Sequence, residues 1–221
     1  VRWHVESGTA GVVPMGTTGE SATLNTREHL EVISRTIEVA NGGISVVAGT
    51  GSNSTEETLH QTKEAESLGA DACLLVTPYY NRPTQEGLYA HFKKVAETTS
   101  VPLVLYNVPG RTGCDLLPET IGRLSSIEGI VGIKEASGKI ERVSEIRSVS
   151  ASDFFILSGE DALTLEMMNN GAVGTISVTA NVLPKAMAEF CDSFLSGNVK
   201  RASAIDEVLQ SVHEILFIES N

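Results

Sequence analysis

The sequence predicts a parallel α/β fold and, within that class, an eightfold β/α (TIM) barrel. Short apolar runs alternate with longer stretches of helical period along the whole chain, the pattern of a parallel sheet wrapped by helices. A doubly wound open sheet also satisfies that alternation. Polar or aromatic residues follow nearly every run instead of gathering at one reversal point, which favours the barrel. The apolar runs number seven, so the first strand of an eightfold barrel is expected before Val1. On this reading residues 1–196 hold strands two to eight, and residues 197–221 begin a C-terminal helical appendage.

Taken in order, Val1 to Gly8 reads as the last turns of a helix closed by a glycine. Ala10 to Met15 is an apolar strand that runs into the turn Gly16-Thr17-Thr18-Gly19-Glu20-Ser21. Leu30, Ile33, Ile37 and Ala40 mark the apolar face of a helix from Thr26 to Asn41, which Gly42-Gly43 ends. Ser45 to Ala48 is the next strand. Ser54 then caps a helix, with Glu57 at the capping-box position and Gly69 as the stop. Ala72 to Val76 follows as a strand, and beyond the loop Thr77 to Pro83, Thr84 starts a helix carrying Leu88, Phe92 and Val95. Pro102 to Leu105 is a strand, with Tyr106 to Gly113 as the loop behind it. A helix at Pro118–Leu124 leads to the apolar run Ile130-Val131-Gly132-Ile133, and another at Ile140–Val149 leads away. Phe154–Leu157 and Ala172–Ile176 are the last two strands. Leu183–Leu195 is the closing helix, and Val199–Ile218 is one more amphipathic helix than the barrel needs.

With 221 residues, 41% hydrophobic and 20% charged, the chain is long enough to bury a sizeable core. A net charge of -12 argues against nucleic acid or an anionic membrane surface as partner, because no basic run offsets repulsion from phosphate. No apolar run approaches the roughly 18 residues of a membrane-spanning helix. Cys73, Cys114 and Cys191 are far apart and in no ligand spacing, so neither a disulfide framework nor a metal site is indicated, and a reducing cytoplasm fits best. His4, His29, His60, His91 and His213 form no ligand pattern and are expected mostly at the surface. No nucleotide-binding glycine fingerprint is present.

The run Ile130 to Ile133 ends in Lys134. A lysine closing a strand buried on both faces pairs with a carboxylate such as Glu135, snorkels to water, or loses its proton. The last outcome produces a nucleophile suited to Schiff-base chemistry on a ketone. In a barrel the active site gathers at the C-terminal strand ends, where the sequence sets Thr17, Thr18, Tyr79, Tyr80, Tyr106, Arg111, Lys134, Gly159 and Ile176. Among these Lys134 is the obvious nucleophile. Tyr106 could relay protons, Arg111 could clamp a carboxylate, and the Gly-Thr-Thr-Gly turn could offer backbone N–H groups to an anion. Each also has a plain structural role open to it.

Gly11-Val12-Val13 through Gly16-Thr17-Thr18-Gly19-Glu20 with Glu28, and Tyr106-Asn107-Val108-Pro109 through Lys134-Glu135-Ala136, resemble the two signatures of the dihydrodipicolinate synthase and N-acetylneuraminate lyase superfamily. The spacing between them fits as well. Thr77-Pro78-Tyr79-Tyr80-Asn81-Arg82-Pro83 and the loop carrying Arg111 resemble its synthase branch. The resemblance implies that Lys134 forms a Schiff base with pyruvate and that Tyr106 donates and accepts protons. It further implies a hydroxyl relay through Thr17 and Tyr80, the latter supplied across a dimer interface. Thr18 and Ile176 would hold pyruvate, and Arg111 the carboxylate of L-aspartate 4-semialdehyde, giving 4-hydroxy-tetrahydrodipicolinate on the diaminopimelate route to lysine. No metal or organic cofactor is implied; a homotetramer built as a dimer of dimers is. Ser21, Ala22, His29, Asn53, Glu57 and Tyr79 match the lysine-inhibitor pocket of sensitive members, while Thr26 stands where some of those have histidine. A sugar-acid or sialic-acid lyase of the same superfamily, or a non-catalytic paralogue or fragment, is the alternative.

Overall fold

A computed structural model describes residues 1–219; the last two residues of the expected helical appendage lie outside it. Six strands form one parallel sheet: β1 (Gly11–Val12), β2 (Ser45–Gly49), β3 (Ala72–Val76), β4 (Leu103–Asn107), β5 (Ile130–Glu135) and β6 (Phe155–Ser158). Their spatial order is their chain order, β1-β2-β3-β4-β5-β6. A doubly wound sheet must reverse direction at a switch point. No reversal occurs here, so the sheet advances one strand at a time, as half of a β/α barrel does.

The seventh expected strand is a correction. Residues 172–176 run beside β6, with Val173 N donating to Ile156 O and Ile176 N to Ser158 O, yet they are joined to it by a single bridge between Ser158 and Thr175. Gly174, at a φ of 153° that side chains rarely adopt, breaks the extended run. Alternation of apolar residues could not reveal that break.

The helices are α1 (Arg2–Glu6), α2 (Thr26–Ala40), α3 (Thr55–Leu68), α4 (Gln85–Ala96), α5 (Pro109–Thr112), α6 (Pro118–Leu124), α7 (Glu141–Val149), α8 (Thr164–Asn169), α9 (Pro184–Leu195) and α10 (Val199–Ile215). Two of them, α5 and α8, were not expected, because four or six residues are too few to display a helical period. The helix termini carry their caps in the sequence. Thr84 Oγ1 accepts from Gly87 N ahead of α4, and Gly69 closes α3 in the left-handed region. The expected capping box at Ser54 is only half formed, since Ser54 accepts from Glu57 N while the Glu57 carboxylate takes a hydrogen bond from Ser52 Oγ at 2.5 Å. A complete box forms instead between Asn25 and Glu28 at the start of α2.

Strand residues alternate between two apolar layers. Cys73, Leu75, Leu103, Leu105, Ile133 and Ile156 pack outward against the helices, joining Phe92, Ile121, Ile146 and Phe190. Leu74, Val104, Tyr106, Val108 and Ala136 face the other way, with Val13, Val47, Val76, Val131, Phe155 and Ile176 around them. This second layer is the floor of the candidate site. The histidines also depart from expectation: His29, His91 and His213 are buried. Each ring has at least one hydrogen-bond partner: Gly49 O for His29, Thr55 Oγ1 for His91 and Thr179 Oγ1 for His213, while His91 Nε2 is buried without one. Burial lowers the His91 pKa to about 4, so that ring is neutral at physiological pH. No helix among the described residues is long and apolar enough to cross a membrane.

Candidate active site at the strand ends

The parallel register of β4 and β5 sets Tyr106 opposite Lys134 and Asn107 opposite Glu135. Because side chains alternate along a strand, the first pair points into the inner layer and the second into the outer one. Lys134 therefore does not pair with its neighbour Glu135. Its Nζ lies over the Tyr106 ring, 4.4 Å from the centroid. The strand beside it leaves room, since a Cβ on Gly159 would fall 2.6 Å from the Ala136 Cβ and 3.0 Å from the Lys134 Cε. Glycine at 159 is what lets the lysine side chain pass.

Opposing influences act on the Lys134 amine. Burial disfavours the ammonium most strongly; Asp161 and Glu160 favour it, and Arg111 opposes it. Burial wins, and the pKa is pushed down to about 8. Tyr106 is buried too, which raises its pKa, while a hydrogen bond with Thr17 and the charge of Arg111 pull the other way. The phenol therefore stays protonated at neutral pH and can donate. Thr17 and Arg111 belong to this group through those interactions, although Arg111 is on the exposed side of α5. Ile176 packs on the same inner layer. Thr18 is exposed on the turn after β1.

Tyr80 is placed differently. It is 89% exposed, lies outside the inner layer, and holds a left-handed backbone at a φ of 73°. A bulky residue in that region is strained, and such strain recurs at functional sites. Its backbone N–H donates to Thr112 O, which ties its loop to the loop of Arg111.

Glu160 and Asp161 were missed by sequence reasoning, although Gly159 before them stood at an expected strand end. Burial raises the Glu160 pKa, and Lys134 counters it. Asp161 Oδ2 accepts from the N–H groups of Val178 and Thr179 at 2.8 Å each, anchoring the segment after Ile176. Also unforeseen is a polar network on the back of the sheet. Asn107 Nδ2 donates to Glu135 Oε2 at 3.1 Å and to Asp115 Oδ1 at 2.8 Å, and Asp115 receives both Nη atoms of buried Arg142 at 3.0 Å. Lone polar residues scattered over three elements give no periodic signal, so the sequence could not have joined them.

The residues matched to a lysine pocket lie on the segments that follow β1, β2 and β3. His29 Nε2 donates to Gly49 O at 2.7 Å. Burial lowers its pKa against the opposing effects of that hydrogen bond and of Glu57. Asn53 O accepts from Asn81 Nδ2, two residues beyond half-exposed Tyr79. Ser21 and Ala22 sit on a 3₁₀ turn, Ser21 half-buried and Ala22 exposed. Among the described residues no group of His, Cys, Asp and Glu is arranged to hold a metal ion.

The sequence matches the model of the Dihydrodipicolinate synthetase family over residues 1–221. The chain belongs to that family. A 4-hydroxy-tetrahydrodipicolinate synthase of Methylococcus capsulatus is 55% identical over the whole chain, which covers 76% of that protein. Among solved structures, dihydrodipicolinate synthase of Acinetobacter baumannii complexed with pyruvate is 50% identical with a TM-score of 0.97, over 100% of this chain and 76% of that one. The enzyme of Cyanidioschyzon merolae with lysine bound is 39% identical with a TM-score of 0.95, over 99% of this chain and 74% of that one. Membership of the Dihydrodipicolinate synthetase family accords with a half-buried lysine of lowered pKa held over a tyrosine ring at the strand ends.

Proposed function

We infer that the chain is a Schiff-base lyase that condenses pyruvate with L-aspartate 4-semialdehyde to 4-hydroxy-tetrahydrodipicolinate. The observation that carries this is the Lys134 amine, held over Tyr106 at 4.4 Å with its pKa lowered to about 8. The neutral amine adds to the ketone carbon of pyruvate, and loss of water leaves an iminium. The iminium withdraws electrons, so the methyl carbon gives up a proton and the resulting enamine attacks the aldehyde carbon. The aldehyde oxygen takes a proton and becomes the product hydroxyl. The amino group of the semialdehyde then displaces Lys134 from the former ketone carbon, closing the ring and freeing the enzyme. Tyr106 is the donor and acceptor for these protons, hydrogen-bonded to Thr17. Thr18 and Ile176 hold pyruvate, and Arg111 takes the carboxylate of the semialdehyde. No metal or organic cofactor enters this scheme, because the iminium itself is the electron sink.

Reduction with borohydride in the presence of pyruvate, followed by peptide mass mapping, tests the reading. An adduct is expected on Lys134. Only the free amine is nucleophilic, and its share grows as pH rises through the pKa, so the trapping rate should climb with a midpoint near pH 8. A folded chain with no adduct would overturn the proposal, and a midpoint above pH 10 would remove the role given to burial.

Tyr80, exposed and strained, is proposed to complete the relay of a neighbouring copy in a dimer of dimers. The sequential strand order supports a β/α barrel, with residues 1–196 belonging to the barrel and residues 197–221 opening a helical appendage. A cytoplasmic location accords with free Cys73, Cys114 and Cys191. Lysine is proposed as an inhibitor acting through Ser21, Ala22, His29, Asn53, Glu57 and Tyr79, by analogy with the lysine-bound relative. Titration with lysine should lower the initial rate at millimolar concentrations; an unchanged rate would remove the idea.

A further inference from the structure

Arg111 poses a geometric problem. A long, exposed side chain on a four-residue helix is a poor clamp unless the backbone beneath it is fixed. The segment after Arg111 is tied at nearly every residue. Thr112 Oγ1 donates to Cys114 O at 2.9 Å, and Cys114 Sγ donates to Pro78 O at 3.1 Å. Asp115 O accepts from Gln85 Nε2 at 2.8 Å, and Leu117 N donates to Gln85 Oε1 at 3.1 Å. The Asp115 carboxylate takes both Nη atoms of Arg142 and the Nδ2 of Asn107, while Asn107 Oδ1 accepts from Leu116 N at 3.0 Å. Arg142 also donates to Leu116 O.

Stability alone is a weak reason for such a cluster, because well-packed apolar residues in place of a buried ion pair are often neutral or stabilising. Its placement offers a better one. Asn107 follows Tyr106 on β4, and its Nδ2 also reaches Glu135, the neighbour of Lys134 on β5. One amide side chain thus joins the Arg111 segment to both strands that carry the reacting groups.

Resting on the proposed reaction, we propose that Asn107, Asp115 and Arg142, together with Gln85 on the same segment, are positioning residues for Arg111, fixing the distance between its guanidinium and the Lys134–Tyr106 pair. They set the affinity for the second substrate, the amino aldehyde bearing a carboxylate, and leave the binding of pyruvate alone.

Arg142→Gln removes the two-pronged hold on Asp115, and Gln85→Ala removes a milder, charge-free hold on the same segment. In Arg142→Gln the KM for aspartate semialdehyde is expected to rise about tenfold or more, since small misplacements of a binding group have effects of that size. A smaller rise is expected in Gln85→Ala. In both, the KM for pyruvate should stay within about twofold and the borohydride adduct on Lys134 should still form. An unchanged KM for the aldehyde in both variants overturns the proposal; if Arg142→Gln does not fold, Gln85→Ala decides alone. Loss of the pyruvate adduct in a folded variant also overturns it, by showing that the network serves Lys134 instead. Absence of an adduct in the unaltered chain would instead defeat the underlying Schiff-base reading.

Discussion

Replacing Lys134 with alanine should abolish the borohydride-trapped pyruvate adduct and slow turnover by roughly 10⁴-fold or more, the scale on which losing a covalent nucleophile is felt. The reason lies in the uniqueness of the amine. Its burial lowers the pKa to about 8, so at neutral pH about a tenth of the side chain is free amine, a share about two orders of magnitude above that of an unperturbed lysine. Lys134→Arg is the sharper control. A guanidinium keeps positive charge near Glu160 and Asp161 but does not deprotonate in this range, so it should be as inactive as alanine. Circular dichroism and thermal melting must show a folded chain in both cases. An adduct that persists on another residue, with activity, would mean that Lys134 is only a half-buried charge near carboxylates.

Tyr106→Phe should lower kcat by about 10²- to 10⁴-fold while leaving the Lys134 adduct able to form, because the substitution removes the hydroxyl and keeps the ring. The ring and the hydroxyl have separate duties. The ring belongs to the inner apolar layer and lies under the Lys134 Nζ, so its loss would disturb the lysine. The hydroxyl is hydrogen-bonded to Thr17 and stays protonated because burial outweighs the influences that would lower its pKa. Single-turnover measurements separate the two, with adduct formation close to the unaltered rate and product formation slow. A kcat within about threefold of the original would assign proton transfer to water or to another group, such as Glu160, whose charge acts on both Lys134 and Tyr106.

Where sequence reasoning went astray, the cause was length or distance. The α5 and α8 helices are shorter than two turns, and Gly174 interrupts an apolar run that otherwise reads as a strand. The burial of His29, His91 and His213 departs from the expectation that most histidines lie at the surface, because imidazole is compatible with either environment and the partner groups Gly49 O, Thr55 Oγ1 and Thr179 Oγ1 come from distant parts of the chain. The Asn107–Asp115–Arg142 network is invisible to any local window, since its members lie on β4, in the loop before α6, and on α7.

The sequence by itself determined the parallel α/β class, the cap at Ser54, the helix start at Thr84, the stop at Gly69, and the position of Lys134 at a strand end. Each of these depends on residues close together in the chain, so local propensity and period suffice. Only the tertiary structure decided that the strands succeed one another without reversal, that Tyr106 lies opposite Lys134, and that Glu135 turns away to Asn107. Strand order and register follow from the simultaneous packing of both faces of the sheet. The Lys134 pKa likewise depends on burial by several elements at once, which no single stretch of sequence contains.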